Sequence, residues 1–398
     1  MLTMWTAILL LSTGFLVYVL AGYPLLLGWM AGRKRRPVVK DASYQPTVTV
    51  LLPVRNGERW IEGKLRTLAE QDYPLHLIDI LVISDGSTDT TEALVEAWAG
   101  RGEAPRLRLL RQAPAGKAAA LNLGLREATG ELLFMTDVRQ DLSANALSSL
   151  AACLGDPSVG AASGELIILD GVTREEASIG LYWRYEKWMR ERLSAIDSVM
   201  GATGAIYMIR RALTAPLPDG TLVDDMYLPL KAFFAGKRVI LDREARAYDL
   251  PTALDTEFRR KVRTQAGVYQ LMGLMPELLT WRNRMWIHFL SQKVGRLMMP
   301  LGMLGVLAGS LGAGGVAGCG VFVGAGGVLW RGDARCVAAQ GEPAQAADRA
   351  GAVLCSDAGG GSLRDGDLCA AGHQPVAAHE QNGKNRAGKG RGWERVLG

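Results

Sequence analysis

The stretch Leu81-Val-Ile-Ser-Asp-Gly-Ser-Thr-Asp89 decides how the fold of this chain is interpreted. Its first three residues form an apolar run typical of a buried strand, Ser84–Gly86 is a turn, and Thr88 precedes a helical pattern. Such a strand delivers Asp85 to the carboxyl edge of a sheet, where open α/β sheets bind ligands. A plain turn with helix-capping side chains explains this stretch alone equally well. A second strand that ends the same way, at Phe134–Asp137, favours a ligand site.

Strand-like and helix-like segments alternate along the first half of the chain. Apolar runs of strand length are followed by segments whose apolar residues recur at helical spacing. This alternation is typical of an α/β sheet in which helices join parallel strands. The predicted strands are Thr47–Val54, Ile78–Ser84, Leu107–Leu110, Leu132–Thr136 and Val159–Leu169, and the predicted helices are Trp60–Gln71, Thr90–Ala99, Ala118–Ala128 and Asn145–Leu154.

The middle of the chain has a different character. Glu175–Leu193 is a long helical pattern rich in aromatic residues, which indicates core packing or, alternatively, a stacking platform for sugar rings. The helical pattern Val223–Phe234 begins with Asp224 and Asp225, which the helix dipole favours there even without a function. The other predicted elements are strands at Ala205–Ile209, Val239–Asp242 and Ala245–Tyr248 and a helix at Phe258–Leu274 with a basic first turn.

Charge and hydropathy point to a membrane and not to nucleic acid. The formal net charge of +5 is mild, and Arg33–Arg36 forms a basic block directly after the uncharged run Leu2–Met30. About 20 apolar residues span a bilayer, and basic residues mark the cytoplasmic flank. We therefore predict an uncleaved anchor at residues 1–32; a hairpin broken near Gly22–Pro24 is the alternative. The five cysteines show neither disulfide nor zinc spacing.

Composition divides the rest of the chain into four parts. Residues 46–280 are predicted to be one cytoplasmic domain, and residues 281–299 an amphipathic helix at the membrane interface. Residues 300–330 are apolar enough for another transmembrane segment, although glycine weakens helix formation there. Residues 331–398 have no periodicity and are predicted to be disordered. Our hypothesis for this tail is a shift of reading frame near Gly302–Gly312.

Six short motifs occur in the order found in the family 2 inverting glycosyltransferases. From about Val48 to about Leu301 the chain resembles the membrane-bound branch of that family, which includes cellulose, hyaluronan and poly-N-acetylglucosamine synthases. The resemblance implies a GT-A-like α/β fold, a Rossmann-like nucleotide-binding mixed sheet flanked by helices, with membrane-anchoring helices. The motifs are Pro53 to Glu58, Asp85-Gly86-Ser87-Thr88-Asp89, Gly116-Lys117-Ala118-Ala119-Ala120-Leu121-Asn122, Thr136-Asp137, Asp224-Asp225 and Arg260 to Arg263.

The same resemblance implies roles for individual residues. An inverting transfer needs a carboxylate that takes the proton of the attacking acceptor hydroxyl, and this role passes to Asp225. The leaving nucleoside diphosphate needs positive charge, from a cation, from basic side chains or from helix amino termini. Asp137 is the implied ligand of Mg²⁺ or Mn²⁺. The implied nucleotide-sugar site comprises Pro53, Glu58, Asp85, Lys117, Asp137, Arg139 and Arg263, and the implied acceptor site comprises Asp224 and Arg260.

The chain departs from the family pattern at three positions. Ser84 stands where the family has the first Asp of its Asp-Asp-Gly-Ser motif. Arg139 replaces the second Asp of the metal motif, so that one carboxylate and the diphosphate hold the metal, or Arg139 itself contacts the diphosphate. Thr264 replaces the tryptophan that stacks on the acceptor sugar in processive synthases, which weakens the case for a long-polymer synthase.

Three functions are compatible with these features. The first is a glycosyltransferase at the inner (plasma) membrane, with its catalytic domain in the cytoplasm, that moves a sugar from a nucleotide sugar, such as a UDP-sugar, to a glycan. The second is a transferase that adds one sugar to a lipid-linked acceptor. The third is a catalytically silent membrane scaffold of the same fold, which the altered metal motif favours.

Overall fold

A computed structural model describes residues 2–102, 105–169, 174–250 and 254–313 of the chain. The tail predicted to be disordered, and the apolar segment beyond residue 313, lie outside these ranges. The elements of the first half alternate as the sequence predicts. They are α1 (Leu2–Val17), α2 (Tyr23–Arg33), β1 (Val48–Val54), α3 (Ile61–Ala69), β2 (Ile78–Asp85), α4 (Thr91–Ala99), β3 (Arg106–Gln112), α5 (Lys117–Glu127), β4 (Leu132–Met135), β5 (Asp141–Leu142) and α6 (Ala146–Leu154).

The second half adds the antiparallel part of the sheet and the longer helices. Strands β6 and β7 are separated by the long helix α7, and β8 follows α8. The elements are β6 (Val159–Ile168), α7 (Arg174–Ile196), β7 (Tyr207–Arg210), α8 (Asp224–Phe234), β8 (Arg238–Asp249), α9 (Leu254–Leu274), α10 (Trp286–Phe289) and α11 (Gly295–Gly312).

The eight strands form one mixed sheet in the order β3-β2-β1-β4-β7-β6-β8-β5. Strands β1 to β4 are mutually parallel, with Val48 paired to both Ile78 and Leu132. Strand β7 runs antiparallel to both of its neighbours, β4 and β6. The carboxyl ends of β1, β2 and β4 therefore meet at one edge of the sheet, and the first residues of β7 lie at the same edge.

Helices cover both faces of the sheet because its central strands are apolar on both sides. Leu51 of β1 packs with α5, α7 and α8 on one face, whereas its neighbours Val50 and Leu52 pack with α3 and α6 on the other. Successive strand residues point to opposite faces, so a continuous apolar run marks a strand buried on both. Each fully buried aliphatic side chain contributes about 1.5–3 kcal/mol to this core.

Strand β8 corrects one expectation from the sequence. The two short strands predicted at Val239–Asp242 and Ala245–Tyr248 are a single strand, Arg238–Asp249. Its pairing with β6 shifts between Ser163 and Glu165, so the ladder is irregular there. A bulge of this kind interrupts the alternation of side chains, which is why the pattern looked like two strands.

Two long apolar helices pack against each other in antiparallel fashion. Residues Met4–Arg33 and Trp286–Gly312 are each long and apolar enough to cross a membrane. Gly302, Gly305 and Gly309 of α11 lie directly against α1, where an added Cβ would crowd Phe15, Ser12 and Leu9 respectively. Small residues permit this close approach of two helix backbones.

Both apolar helices run through positions where the sequence suggested a boundary. The first passes Gly22–Pro24 through a π-helical turn at Tyr18–Gly22, after which Pro24 lies in the first turn of α2 and needs no backbone donor. The second begins at Trp286, within the predicted interface element of residues 281–299, and continues through another π-helical turn, Leu290–Val294, to Gly312, so no boundary falls at residue 299.

Candidate active site

Lys117 lies at the centre of a carboxylate cluster at the carboxyl edge of the sheet. Its Nζ is 3.0 Å from Oδ1 of Asp137, which follows β4, and 3.3 Å from Oδ2 of Asp224 at the start of α8. Burial by itself lowers the pKa of Lys117, but Asp137, Asp224 and Asp225 together hold that pKa above its usual value. Three carboxylates thus lie around one ammonium group, so these four side chains together carry a net negative charge.

The turn before Lys117 is held by Asp85 at the end of β2. The Asp85 carboxylate accepts hydrogen bonds from the Gln112 side chain and from the backbone N–H groups of Ala115 and Gly116. Burial raises the pKa of Asp85, but these hydrogen bonds together lower that pKa by more, so the net shift is downward. Gly116 has φ of 89°, a conformation that disfavours side chains. Asp85 therefore fixes where helix α5 begins.

Asp225 is held against a glycine-containing loop, Gly201–Gly204, which precedes β7. The backbone N–H of Ala202 donates to the backbone carbonyl of Asp225 at 2.7 Å. A Cβ on Gly204 would come within 3.2 Å of Oδ2 of Asp225. Burial raises the pKa of Asp225 to about 6, with Asp224 adding to the increase and Lys117 opposing it. A carboxylate with such a pKa is a suitable proton acceptor near neutral pH.

Tyr207, the first residue of β7, presents its hydroxyl to the same cluster. The side chain is fully buried, and its hydroxyl has no hydrogen-bond partner among the described residues. Burial raises the pKa of Tyr207 far above its usual value, and Asp224, Asp225 and Asp137 raise it further. The neutral phenol is therefore a hydrogen-bond donor that the described residues leave unused.

Glu58 and Pro53 lie on the β1 side of the edge. Oε2 of Glu58 accepts hydrogen bonds from the backbone N–H and the hydroxyl of Thr90, just before α4. Asp89 accepts from the backbone N–H of Thr91 and likewise caps that helix. Pro53 is partly buried within β1. The structure thus gives Glu58 a capping contact, and its nucleotide-binding role stays a prediction.

The arginines of the predicted site come from other parts of the fold than Lys117. Arg139 is bound to the buried carboxylate of Asp249 at the end of β8, which also accepts a hydrogen bond from Gln140. Arg263 is exposed on α9, and Arg260 of the same helix is partly exposed. The structure therefore brings together Lys117, Asp137, Asp224 and Asp225, whereas Arg139 pairs with Asp249 and Arg263 is exposed on α9.

A divalent cation fits this site only if the substrate shares in binding it. Among the described residues, no group of three or more histidine, cysteine or acidic side chains is arranged to hold a metal ion. The Asp137 carboxylate, 39% exposed, offers one oxygen-donor side chain at the open edge. Mg²⁺ is commonly held by one or two carboxylates together with substrate phosphates. Asp137 meets that requirement.

The loop Gly201–Gly204 and the residues that hold it were missed by the sequence-based reasoning. Arg190 of α7 donates to the hydroxyls of Thr203 and Ser163 and to the Gly201 carbonyl. Gly201 has φ of 149°, and a Cβ there would collide with Met226 of α8. The pair of glycines directly before a predicted strand was the available signal, because such spacing marks a close approach of backbone to another group.

Comparison with known proteins agrees with this geometry. Residues 49–214 match the family model described as Glycosyl transferase family 2. The chain is 27% identical over 287 residues to an N-acetylglucosaminyltransferase of Rhizobium meliloti, covering 66% of this chain and 65% of that protein. It is 25% identical over 290 residues to an N-acetylglucosaminyltransferase of Sinorhizobium fredii, covering 68% and 69% respectively. The matched region thus spans about two thirds of these relatives.

The fold itself has a close structural counterpart. A mannosyltransferase from Pyrobaculum calidifontis, solved in complex with GDP-Man and Mn2+, superposes with a TM-score of 0.67 at 24% identity and covers 82% of this chain and 92% of that one. This likeness confirms the predicted GT-A-like mixed sheet. The order of the motifs, the carboxylate cluster and the family match agree, and the chain carries a glycosyltransferase family 2 domain at residues 49–214.

Proposed function

We propose that this chain is a membrane-anchored glycosyltransferase that moves a sugar from a nucleoside-diphosphate sugar to a hydroxyl of a glycan or lipid-linked acceptor, with inversion. The observation that carries the proposal is the position of Asp225. It is a carboxylate whose pKa is raised to about 6, next to Lys117, at the edge where α/β sheets bind ligands. A proton acceptor and a cation for the leaving group are the two parts that such a transfer requires.

Each part of the site has one task in this reaction. The acceptor oxygen bonds to the anomeric carbon, the bond from that carbon to the diphosphate breaks, and the hydroxyl proton passes to the Asp225 carboxylate. Lys117 and the amino terminus of α5 stabilise the negative charge on the departing diphosphate. A divalent cation held by Asp137 would add positive charge to the same diphosphate. Asp224 keeps Lys117 in place and raises the pKa of Asp225.

The two apolar helices support the membrane part of the proposal. Both meet the length and hydropathy needed to cross a bilayer, and Arg33 to Arg36 follow the first one. Basic residues prefer the cytoplasmic side. The proposed arrangement is therefore a catalytic domain on the cytoplasmic face of the inner membrane. When expressing cells are fractionated, we expect the chain in the inner-membrane fraction. Protease should reach the catalytic domain only after the inner membrane is opened.

The curated relatives suggest which donor to test first. Since they are named N-acetylglucosaminyltransferases, UDP-N-acetylglucosamine is the proposed donor, with UDP-glucose and GDP-mannose as comparators. The experiment measures transfer of radiolabel in membranes that contain the chain or its Asp225→Asn variant. Label transferred by the wild type and lost in the variant supports the proposal. Absence of transfer from all three donors would favour the alternative of a silent scaffold.

A further inference from the structure

Lys64 of α3 is a buried lysine that the proposed mechanism does not use. Its side chain is 0% exposed, in a helix whose other buried side chains, Ile61, Leu65 and Leu68, are apolar. Its Nζ donates a hydrogen bond of 3.0 Å to the hydroxyl of Thr136. A buried amine costs stability unless it is well paired, so its presence here calls for an explanation other than packing.

Thr136 connects the Lys64 amine both to Asp137 and to the loop that contacts Asp225. It directly precedes Asp137, and its backbone N–H donates to the Leu51 carbonyl of β1 at 3.3 Å. Its hydroxyl donates in turn to the backbone carbonyl of Ala205 at 2.8 Å. Ala205 directly follows Gly204, whose backbone lies against the Asp225 carboxylate. Lys64 is thus linked through the Thr136 hydroxyl to the Ala205 carbonyl, and so to both the segment that carries Asp137 and the loop that contacts Asp225.

The Gly201–Gly204 loop is consequently held from two directions. On one side, Arg190 of α7 binds Thr203 and the Gly201 carbonyl. On the other side, the Ala205 carbonyl is held by Thr136, whose hydroxyl is oriented by Lys64. Because a carbonyl can only accept, the Thr136 hydroxyl is the donor to Ala205, and the same hydroxyl oxygen accepts from Lys64.

We propose that Lys64 is a positioning residue that, through Thr136, fixes Asp137 and the Gly201–Gly204 loop relative to each other, a role that rests on the transferase function proposed above. The distance between the donor-binding carboxylate and the proton acceptor is then set by a hydrogen-bonded link through the protein interior. A misplacement of about 1 Å between reacting groups can reduce a rate about 100-fold, so this link matters for turnover.

Substitution of Lys64 distinguishes positioning from packing. Lys64→Met keeps a long, unbranched side chain and removes the amine, so it tests the hydrogen bond to Thr136 with little change in packing. Thr136→Val removes the hydroxyl at nearly constant shape, whereas Thr136→Ser retains it. Matched controls are Lys40→Met, a lysine paired with Asp242 and Glu244, and Thr49→Val, a buried threonine whose hydroxyl accepts from Gly130.

The first measurement is the transfer rate together with the thermal midpoint of unfolding. We expect Lys64→Met and Thr136→Val to lower kcat/KM at least about tenfold, and Thr136→Ser to stay within about threefold of the wild type. The Lys64→Met midpoint should equal or exceed that of the wild type. The double variant should be no slower than the slower single variant, because both changes break the same link.

The second measurement does not depend on turnover. Amide hydrogen exchange of the full chain should speed up in residues 136–140 and 203–206 in Lys64→Met and Thr136→Val, and stay unchanged in both controls. If the wild type transfers no sugar, the function proposed above is wrong, yet the exchange rates still decide the role of Lys64.

Three results would overturn the proposal. Unchanged exchange in both segments would mean that Lys64 does not hold them. Faster exchange with undiminished transfer would mean that their position does not matter. Loss of activity that only accompanies a lower thermal midpoint and faster exchange throughout the domain would make Lys64 a packing residue.

Discussion

Two charged regions of this molecule are built with opposite balance. In the active-site cluster, Asp137, Asp224 and Asp225 lie around the ammonium of Lys117. In the second region, which we call the Asp197 junction, one carboxylate accepts from two arginines: Arg36 at 2.7 Å and Arg284 at 3.0 Å. The first has excess negative charge and the second excess positive charge.

The surroundings of the two regions explain the difference. At the Asp197 junction the excess cation is satisfied by backbone carbonyls, because Arg284 also donates to the Phe233 carbonyl. Arg238 likewise donates to the carbonyls of Arg36, Ser194 and Asp197. Buried Arg190 and Lys293 also act electrostatically on Asp225, but the Tyr207 hydroxyl has no hydrogen-bond partner among the described residues. A region whose charged groups are all hydrogen-bonded within the protein holds elements together, whereas a region that leaves a hydrogen-bond donor unused is suited to bind a ligand.

The largest effect should come from Asp225→Asn. We expect transfer to fall about 10²–10⁴-fold, the usual contribution of a positioned proton acceptor. Initial rates at saturating donor would measure this loss. Asp79→Asn, which weakens an ion pair with Arg108 on neighbouring strands, is the control and should keep nearly full activity.

The same variant should not be less stable at pH 7.5. The pKa of Asp225 is raised in the folded chain, so its ionisation opposes folding, and this penalty grows as pH rises through about 6. Removing the charge should therefore raise the thermal midpoint more at pH 7.5 than at pH 5. A lower midpoint at pH 7.5 would show that the carboxylates are not crowded.

Lys117→Met should combine a large loss of activity with a loss of stability. Transfer should fall about 10²–10³-fold because the leaving diphosphate loses a cation. The three carboxylates would then repel one another, at a cost of about 1 kcal/mol after allowance for the partial exposure of Lys117. Urea unfolding at two pH values tests this: the deficit should shrink at pH 5, below the raised pKa of about 6 at which Asp225 takes up its proton.

Asp197→Asn should show the reverse pattern at the Asp197 junction. The free energy of unfolding should drop by about 1–3 kcal/mol, because Arg36 and Arg284 lose a charged acceptor. Activity per folded molecule should change by no more than about threefold. A specific loss of kcat without loss of stability would mean that the junction takes part in turnover and would erase the contrast with the active site.

The smallest effect is a shift in the pH profile. The wild-type kcat/KM should rise with pH, with an inflection near 6, as Asp225 loses its proton. Asp224→Asn should move that inflection to lower pH, because Asp224 raises the pKa of Asp225. An inflection that stays in place would assign it to a different group.

The sequence was informative where motif order and periodicity coincide. The strand that ends at Asp85, the strand just before Asp137 and the helix that begins at Lys117 follow from local patterns, and the GT-A-like fold follows from the family resemblance. Asp224 and Asp225 could be predicted from that resemblance, but their contact with Lys117 depends on a crossover of about one hundred residues. No local pattern encodes such a contact.

The remaining features depend on tertiary packing. The sequence analysis assigned no role to Lys64, and its contact with Thr136, which in turn donates to the Ala205 carbonyl, depends on tertiary packing. Arg139 was expected near the diphosphate, yet β8 brings Asp249 to it. Long side chains can reach several partners, so spacing alone does not decide which one they bind.

The antiparallel contact between the two apolar helices has a consequence for the proposed membrane arrangement. Trp5 meets Gly312 at one end of the pair, and Tyr23 donates to or accepts from His288 near the other. The entire glycosyltransferase domain is therefore the loop of a single hairpin, attached at both of its stems. In the proposed membrane arrangement such a domain cannot turn freely about one tether, so its carboxylate edge would keep a constant orientation toward the lipid surface.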